Sequence, residues 1–317
     1  MPPTFTNPLT AADAADPWII YHEGFYYFTA TLDPEGGLWV WKSPTLTGID
    51  RGSKVKVWTA PPSGPQSRQM WAPELHFLEG RWYLYYTASD GVDANHRHYV
   101  LESVTADPQG EFRDRGRVDP GFDAYAIDGS VLSAPDGALY FLYTTGSLRI
   151  APMSSPCRVS EPGVTIAAPS LPWEHGWLEA PQALIREERV FIVYSAGHSA
   201  KVDYRLGLLT HTGGPLLDPA SWVKSPDPLF EPYSGPDGSV YTTGHCSFTR
   251  SPDGTEDWLV YHAKDSPEYG FGGRTARAQP FTWTKEGTPY LGRPIPPGVP
   301  IPIPSALPPR KSGITQS

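Results

Sequence analysis

ADPWIIYHEGFYYFTA, residues 15–30, is a pair of β-prone runs joined by a turn. WIIY (18–21) and FYYFTA (25–30) are rich in aromatic and β-branched side chains, which suit a packed, pleated surface, and HEG (22–24) between them ends in the glycine of a tight hairpin. The unit recurs four times: ELHF, LEG, RWYLYYTA (74–88); SVLSA, PDG, ALYFLYTT (130–145); QALI, REE, RVFIVYSAG (182–197); and CSFTRS, PDGTE, DWLVYHA (246–263). A third β-prone run follows each hairpin (LWVWKS, HYVLESVTA, LRIAPMSS, RLGLLTH and ARAQPFTW). Fourth runs are fainter, PYLG (289–292) serving in the last unit. The units lie about 50–65 residues apart, and a four-stranded blade with its loops needs roughly 40–50. The pattern predicts an all-β chain folded as a five-bladed β-propeller, with four-stranded antiparallel blades around a central channel. Residues 1–317 then form one domain, with blades starting near residues 16, 74, 128, 179 and 245 and a Pro-rich tail from about residue 294 outside the repeat. Residues 4–9 either add a strand to the last blade or leave it to close unaided.

Composition narrows the partners. With 37 Pro and 31 Gly the chain favours turns over long helices. Its formal net charge of −9 disfavours nucleic acid or an anionic membrane as a partner. Aromatics at 13% both fill β cores and stack on sugar faces. Cys157 and Cys246 are too few for a disulfide scaffold and have no CxxC spacing; whether they pair stays open. No apolar run is long enough to span a bilayer and no leader is visible, so the expected location is cytoplasmic. No GxGxxG, P-loop or GxSxG is present, which leaves redox, phosphoryl-transfer and serine-hydrolase chemistry without support.

The chemistry-bearing residues recur at the head of each repeat: Asp16 in ADPW, Glu74 in WAPEL, Asp128 in IDGS, Glu179 in LEAPQ and His245 in GHCS. In a propeller the first strand of each blade lines the axis, so these five converge on one funnel. Gathering carboxylates there costs repulsion and desolvation, which points to use. Trp177, Leu178 and Ala180 give Glu179 apolar neighbours that raise its pKa. Asp-Pro and Asp-Gly are also common turn dipeptides, and a lone buried His is commonly structural. His96 and His98 in DANHRH lack a third spaced ligand and read as a solvated loop.

The ordered set ADPW, WAPEL, IDGS and GWLEAPQ resembles the five-bladed glycoside hydrolases of family 43 over roughly residues 7–293. The resemblance implies an inverting two-carboxylate hydrolase of plant polysaccharide. Asp16 would be the general base, Glu179 the general acid, and Asp128 the group that raises the pKa of Glu179 and orients it. It also implies that His245 lies beside a hydrated cation, commonly calcium, in the channel. GGRTARAQPF (272–281) resembles a last-blade segment whose arginine reaches the sugar pocket. Arg274 and Arg277, three apart, fall on opposite faces of a regular strand, and Arg274 is favoured because Gly272 and Gly273 set it at the strand entrance. Trp71, Glu74, Trp39 and Phe28 complete the candidate sugar contacts.

The first reading is an exo-acting α-L-arabinofuranosidase on arabinan or arabinoxylan oligosaccharides. β-Xylosidase and endo-arabinanase are alternatives within the family, and a non-catalytic sugar-binding propeller is the alternative of another class. A sialidase-like propeller would need repeated Asp-box turns, which the chain lacks. Long inserts at 89–98 and 264–273 are candidates to close the funnel into a pocket.

Overall fold

The structure is a computed structural model that describes residues 2–32 and 36–306. Among these residues the chain forms five blade-sized antiparallel sheets and one two-stranded pair. The first strands are Ala15–His22, Arg68–Leu78, Ile127–Ser133, Leu178–Arg186 and Gly238–Arg250. They pack on one another around a ring, and each is followed outward by its hairpin partner and third strand. The five-bladed expectation therefore holds. Blades 2 and 5 begin earlier than their anchors suggested, because an extra irregularity before Trp71 and before Gly244 carries their first strands further. The outer position of blade 3 is split between Arg158–Val159 and Val164–Ala167, both pairing with Leu148–Ser155.

Why the second strands read as unbroken apolar runs is now visible. Alternate residues enter different inter-blade cores. Tyr26 and Phe28 face the core shared with blade 5, beside Trp258 and Val260, while Tyr27 faces Leu75, Leu84 and Tyr86 of blade 2. Tyr83 and Tyr85 meet Val131, Phe141 and Tyr143 across the next interface. Leu142 meets Ile192 and Tyr194, and Phe191 and Val193 meet Leu259 and Tyr261. Every blade is thus buried on both faces.

Each first strand breaks register at a non-glycine residue with positive φ: Asp16 (55°), Ala72 (46°), Asp128 (57°), Ala180 (50°) and His245 (41°). Such a bulge bends the strand and re-aims its side chains. Its backbone N–H loses its ladder partner, and in every case the preceding blade supplies another. Thr31 Oγ1 accepts from Ala72 N (2.7 Å), Thr87 Oγ1 from Asp128 N (3.2 Å), Asp128 Oδ2 from Ala180 N (3.0 Å), Ser195 Oγ from His245 N (2.8 Å) and His262 Nδ1 from Asp16 N (3.1 Å). The last of these closes the ring from blade 5 to blade 1. Gly129 beside Asp128 is set by space: a Cβ there would strike the Phe141 ring and lie 2.9 Å from His98 Nδ1.

The N-terminal segment completes blade 5. Leu9 N and Ala14 N donate to Ala276 O (2.7 Å) and Arg274 O (2.9 Å). The Asn7 amide both donates to Ala278 O (3.0 Å) and accepts from Ala278 N (2.9 Å). Pro289–Tyr290 takes the far end of the same strand, as PYLG suggested. Thr4–Phe5 pairs with Ile301–Pro302, so the Pro-rich segment is tied to the propeller at that point, and its portion from residue 307 lies outside the described residues.

Asn7→Ala removes both partners of the Ala278 backbone. A buried unsatisfied polar group costs about 1–3 kcal/mol. Thermal melting should show a midpoint lowered by several degrees; an unchanged midpoint would mean that this edge contributes nothing to closure.

Candidate active site

The bulges aim Asp16, Asp128 and His245 at the axis from equivalent positions in blades 1, 3 and 5. Glu179 stands one residue before the equivalent Ala180, and Trp71 holds that same preceding position in blade 2. Glu74 falls two residues beyond Ala72, deeper in the channel.

Asp16 is held on both oxygens. Thr31 Oγ1 donates to Oδ2 at 2.7 Å; His245 Nδ1 lies 3.1 Å and Arg274 Nη1 3.5 Å from Oδ1. Burial alone would raise its pKa, but the charges of His245 and Arg274, with hydrogen bonds, outweigh this and hold the carboxyl well below the ordinary range. His245 answers in kind. Burial works against its charge, yet Asp16, then Asp128, push it up to about 9. His262 Nδ1 accepts the Asp16 N–H, so it cannot carry a proton. Burial depresses this imidazole to about 4, and its Nε2 has no protein partner among the described residues.

Glu179 receives Trp177 Nε1 on Oε2 (2.7 Å) and Tyr204 OH on Oε1 (2.6 Å). Burial raises its pKa, and these two hydrogen bonds oppose the rise without cancelling it. Asp128 is pushed up to about 7, first by burial and then by the charges of Glu179 and Asp16, with His245 opposing. Asp128 also grips the N–H of Ala180, the residue after Glu179. The balance differs in one respect from the sequence reading. Burial leads in lifting Glu179, with the charge of Asp16 adding to it, and the charge of Glu179 is felt at Asp128.

Three expected sugar contacts lie elsewhere. Phe28 is fully buried, edge-on to Trp41 at 5.2 Å, because its strand position faces the core shared by blades 5 and 1. Trp39 sits on a third strand, packed on that core with the ammonium groups of Lys54 and Lys56 4.7 and 5.1 Å from its ring. Glu74 is 3% exposed; His76 Nε2 lies 2.9 Å from its Oε2 and Gln182 of blade 4 donates to its Oε1, so it ties the channel wall across the axis. Trp71 is half-buried and stacked on His96 at 3.9 Å. Arg274 faces Asp16, whereas Arg277 is fully buried against Asp265. His96 and His98 are buried rather than solvated. His98 is packed edge-on to Phe141 and Tyr143 and depressed by burial to about 3.

A hydrated cation beside His245 would meet this imidazole through the ion's water, since its Nδ1 is engaged by Asp16 and calcium takes oxygen donors. Among the described residues no group of three or more His, Cys, Asp or Glu is arranged to hold a metal ion. No step below uses one. Cys157 and Cys246 are both free.

Sequence reasoning misses Tyr204 and His262, and it reads Trp177 only as an apolar neighbour, whereas its indole N–H donates to Glu179 and opposes the rise in pKa. Trp177 lies inside the quoted GWLEAPQ. A signal for His262 exists: Tyr-Thr, Tyr-Thr, Tyr-Ser and Tyr-His close the second runs of blades 2 to 5 at 86–87, 143–144, 194–195 and 261–262. Tyr204 has none, since it belongs to a loop whose approach to Glu179 is purely tertiary.

Clustered carboxyls with separated protonation preferences, set on a propeller axis, define a polar ligand site of the kind used for glycosyl transfer to water. The profile of glycosyl hydrolases family 43 matches residues 5–289, and the chain belongs to that family. It is 34% identical to α-L-arabinofuranosidase 43 of Humicola insolens, over 91% of this chain and 63% of that one. It is 34% identical to an extracellular exo-α-(1→5)-L-arabinofuranosidase of Streptomyces chartreusis, over 84% of each. The chain spans less than two thirds of the length of the Humicola relative. A crystal structure of an α-L-arabinofuranosidase from Lactobacillus brevis superposes with a TM-score of 0.87 at 32% identity, covering 93% of this chain and 98% of that one. The Streptomyces relative is extracellular, which overturns the cytoplasmic expectation; that expectation rested on a missing leader, and an absence carries no address.

Long-range 1H–15N spectra of the imidazoles should find His245 doubly protonated at pH 7 and His262 neutral with its proton on Nε2. A neutral His245 at that pH would break the electrostatic account of Asp16.

Proposed function

We propose that the protein is a secreted, exo-acting α-L-arabinofuranosidase that releases terminal arabinose from arabinan or arabinoxylan oligosaccharides with inversion. The observation that carries this is the division of protonation states in one funnel: Asp16 held ionised beside His245 and Arg274, and Glu179 and Asp128 raised first by burial and then by neighbouring carboxylate charge. The names of the Humicola, Streptomyces and Lactobacillus relatives support the sugar, and that of the Streptomyces relative supports the exo mode and the extracellular location.

In this reading a water donates a hydrogen bond to the Asp16 carboxylate and attacks the anomeric carbon. Asp16 takes its proton. Glu179 gives its own proton to the glycosidic oxygen as the carbon–oxygen bond breaks, and the leaving alcohol departs neutral. The two carboxyls come from blades 1 and 4, which are not neighbours, an arrangement compatible with the roughly 6.5–9.5 Å that leaves room for the water. Asp128 positions Glu179 through Ala180 and shares the excess charge. Tyr204 and Trp177 fix both Glu179 oxygens; the Tyr204 hydroxyl, which also meets Ser195, can turn to accept when Glu179 is protonated. Arg274, beside Asp16, is placed to meet sugar hydroxyls.

Glu179→Gln should lower kcat on an arabinofuranoside on the order of 10²–10⁴-fold. Turnover equal to the parent's would leave only a sugar-binding propeller.

The pH profile has a definite sign. Glu179 must be protonated, so kcat/KM should fall as pH rises through its pKa, which burial holds above the ordinary glutamate value. Asp16 must be ionised, so the acid limb should lie below the ordinary aspartate range. Tyr204→Phe removes a hydrogen bond that favours ionised Glu179, and the basic limb should move upward; a downward move would contradict the assignment.

A further inference from the structure

Two large aromatic side chains, Tyr269 and Phe271, are 72% and 57% exposed on the blade 5 loop between Asp257–Lys264 and Thr275–Trp283. Neither the core nor the chemistry above uses them. Exposed aromatic surface is retained where something covers it. They are grouped: the ring of exposed His198, from the neighbouring blade 4 loop, lies 6.1 Å from Tyr269 and 5.6 Å from Phe271.

The group is continuous with the funnel. The Arg274 guanidinium lies 5.5 Å from the Phe271 ring centre, its Nε donates to Phe271 O at 2.9 Å, and its Nη1 reaches Asp16. On the other side Gly197, next to His198, donates to Trp177 O at 3.1 Å, and Trp177 in turn holds Glu179. The platform therefore bridges the loops that position the acid and the base. It is also pre-set. Gly270 N donates to Ala200 O (3.0 Å), Gly273 N to the Asp13 carboxylate (2.9 Å), and Lys264 Nζ to Gly270 O (3.0 Å). A surface already ordered loses little entropy when it is covered.

We propose that Phe271, with Tyr269 and His198, forms the platform for the leaving-group side of the substrate, stacking on the sugar ring next to the arabinosyl unit being released. The inference rests on the arabinofuranosidase reading. A sugar presents C–H groups on one face and hydroxyls at its rim, and this surface offers flat rings beside the Arg274 donors. The occupant is a pentose of an α-1,5-linked arabino-oligosaccharide.

The test compares arabinobiose, which has a second ring, with methyl α-L-arabinofuranoside, which has none. In Phe271→Ala the ratio of kcat/KM for the two should fall about tenfold, as truncating an aromatic contact commonly does. Phe271→Trp should restore it. Phe271 is exposed, so neither substitution disturbs folding, and a melting curve checks this. A ratio equal to the parent's, or an equal loss on both substrates, overturns the platform. If the parent hydrolyses neither, the function reading fails by itself. Calorimetry of arabinotriose on Glu179→Gln, with and without Phe271→Ala, then still decides the platform: about tenfold weaker binding supports it and equal binding refutes it.

Discussion

Five backbone N–H groups, one at each bulge, hold this structure to its purpose. A bulge at positive φ is strained for Asp, Ala and His, and it strands an amide inside the molecule. The preceding blade answers every time with a side-chain acceptor, through Thr31, Thr87, Asp128, Ser195 and finally His262. The strain is thereby bound to inter-blade contact, so a side chain at the bulge is aimed only when its neighbouring blade is in place. Thr31 makes the economy plain, since one hydroxyl accepts from Ala72 N and donates to Asp16. Asp128 does likewise, serving as the acceptor between blades 3 and 4 while its own carboxyl feels the charge of Glu179.

Electrostatics follow from that ring. An acidic chain gathers three carboxyls on its axis, and two cations, His245 and Arg274, both stand at Asp16. The cations hold that one ionised and leave Asp128 and Glu179 to burial and repulsion. Chemically identical groups thus acquire opposite tendencies within one funnel. His262 stays neutral because burial opposes its charge and its Nδ1 accepts a backbone N–H, and its ring stacks on Tyr204 at 5.6 Å, linking the base side to the residue that holds Glu179.

Much of this was legible in advance. Aromatic and β-branched runs joined by tight turns mark hairpins, and five copies along the chain mark a propeller. Asp16, Asp128 and His245 could be picked out because equivalent positions in a repeat converge. Glu179 and Glu74 show the limit of that reasoning. They stand one residue before and two beyond the bulge, and shifts of this size decide whether a carboxylate reaches the funnel or ties the wall to Gln182 and His76. Phe28 and Trp39 were misplaced because residue type alone does not say which face of a doubly buried blade a ring occupies. His98 shows a further limit, since DANHRH looks polar and loop-like, yet Arg97–Ser103 is a strand whose side chains enter an inter-blade core.

The sequence by itself determined the five hairpins, the third strand of each and the blade order, since these depend on local pattern and on repetition. Only the tertiary structure decided which carboxyl is charged, which histidine is protonated, that Tyr204 touches Glu179, and that residues 7–14 complete the last blade. Those outcomes depend on distances between groups far apart in the chain and on burial from water, and neither is a property of any segment taken alone.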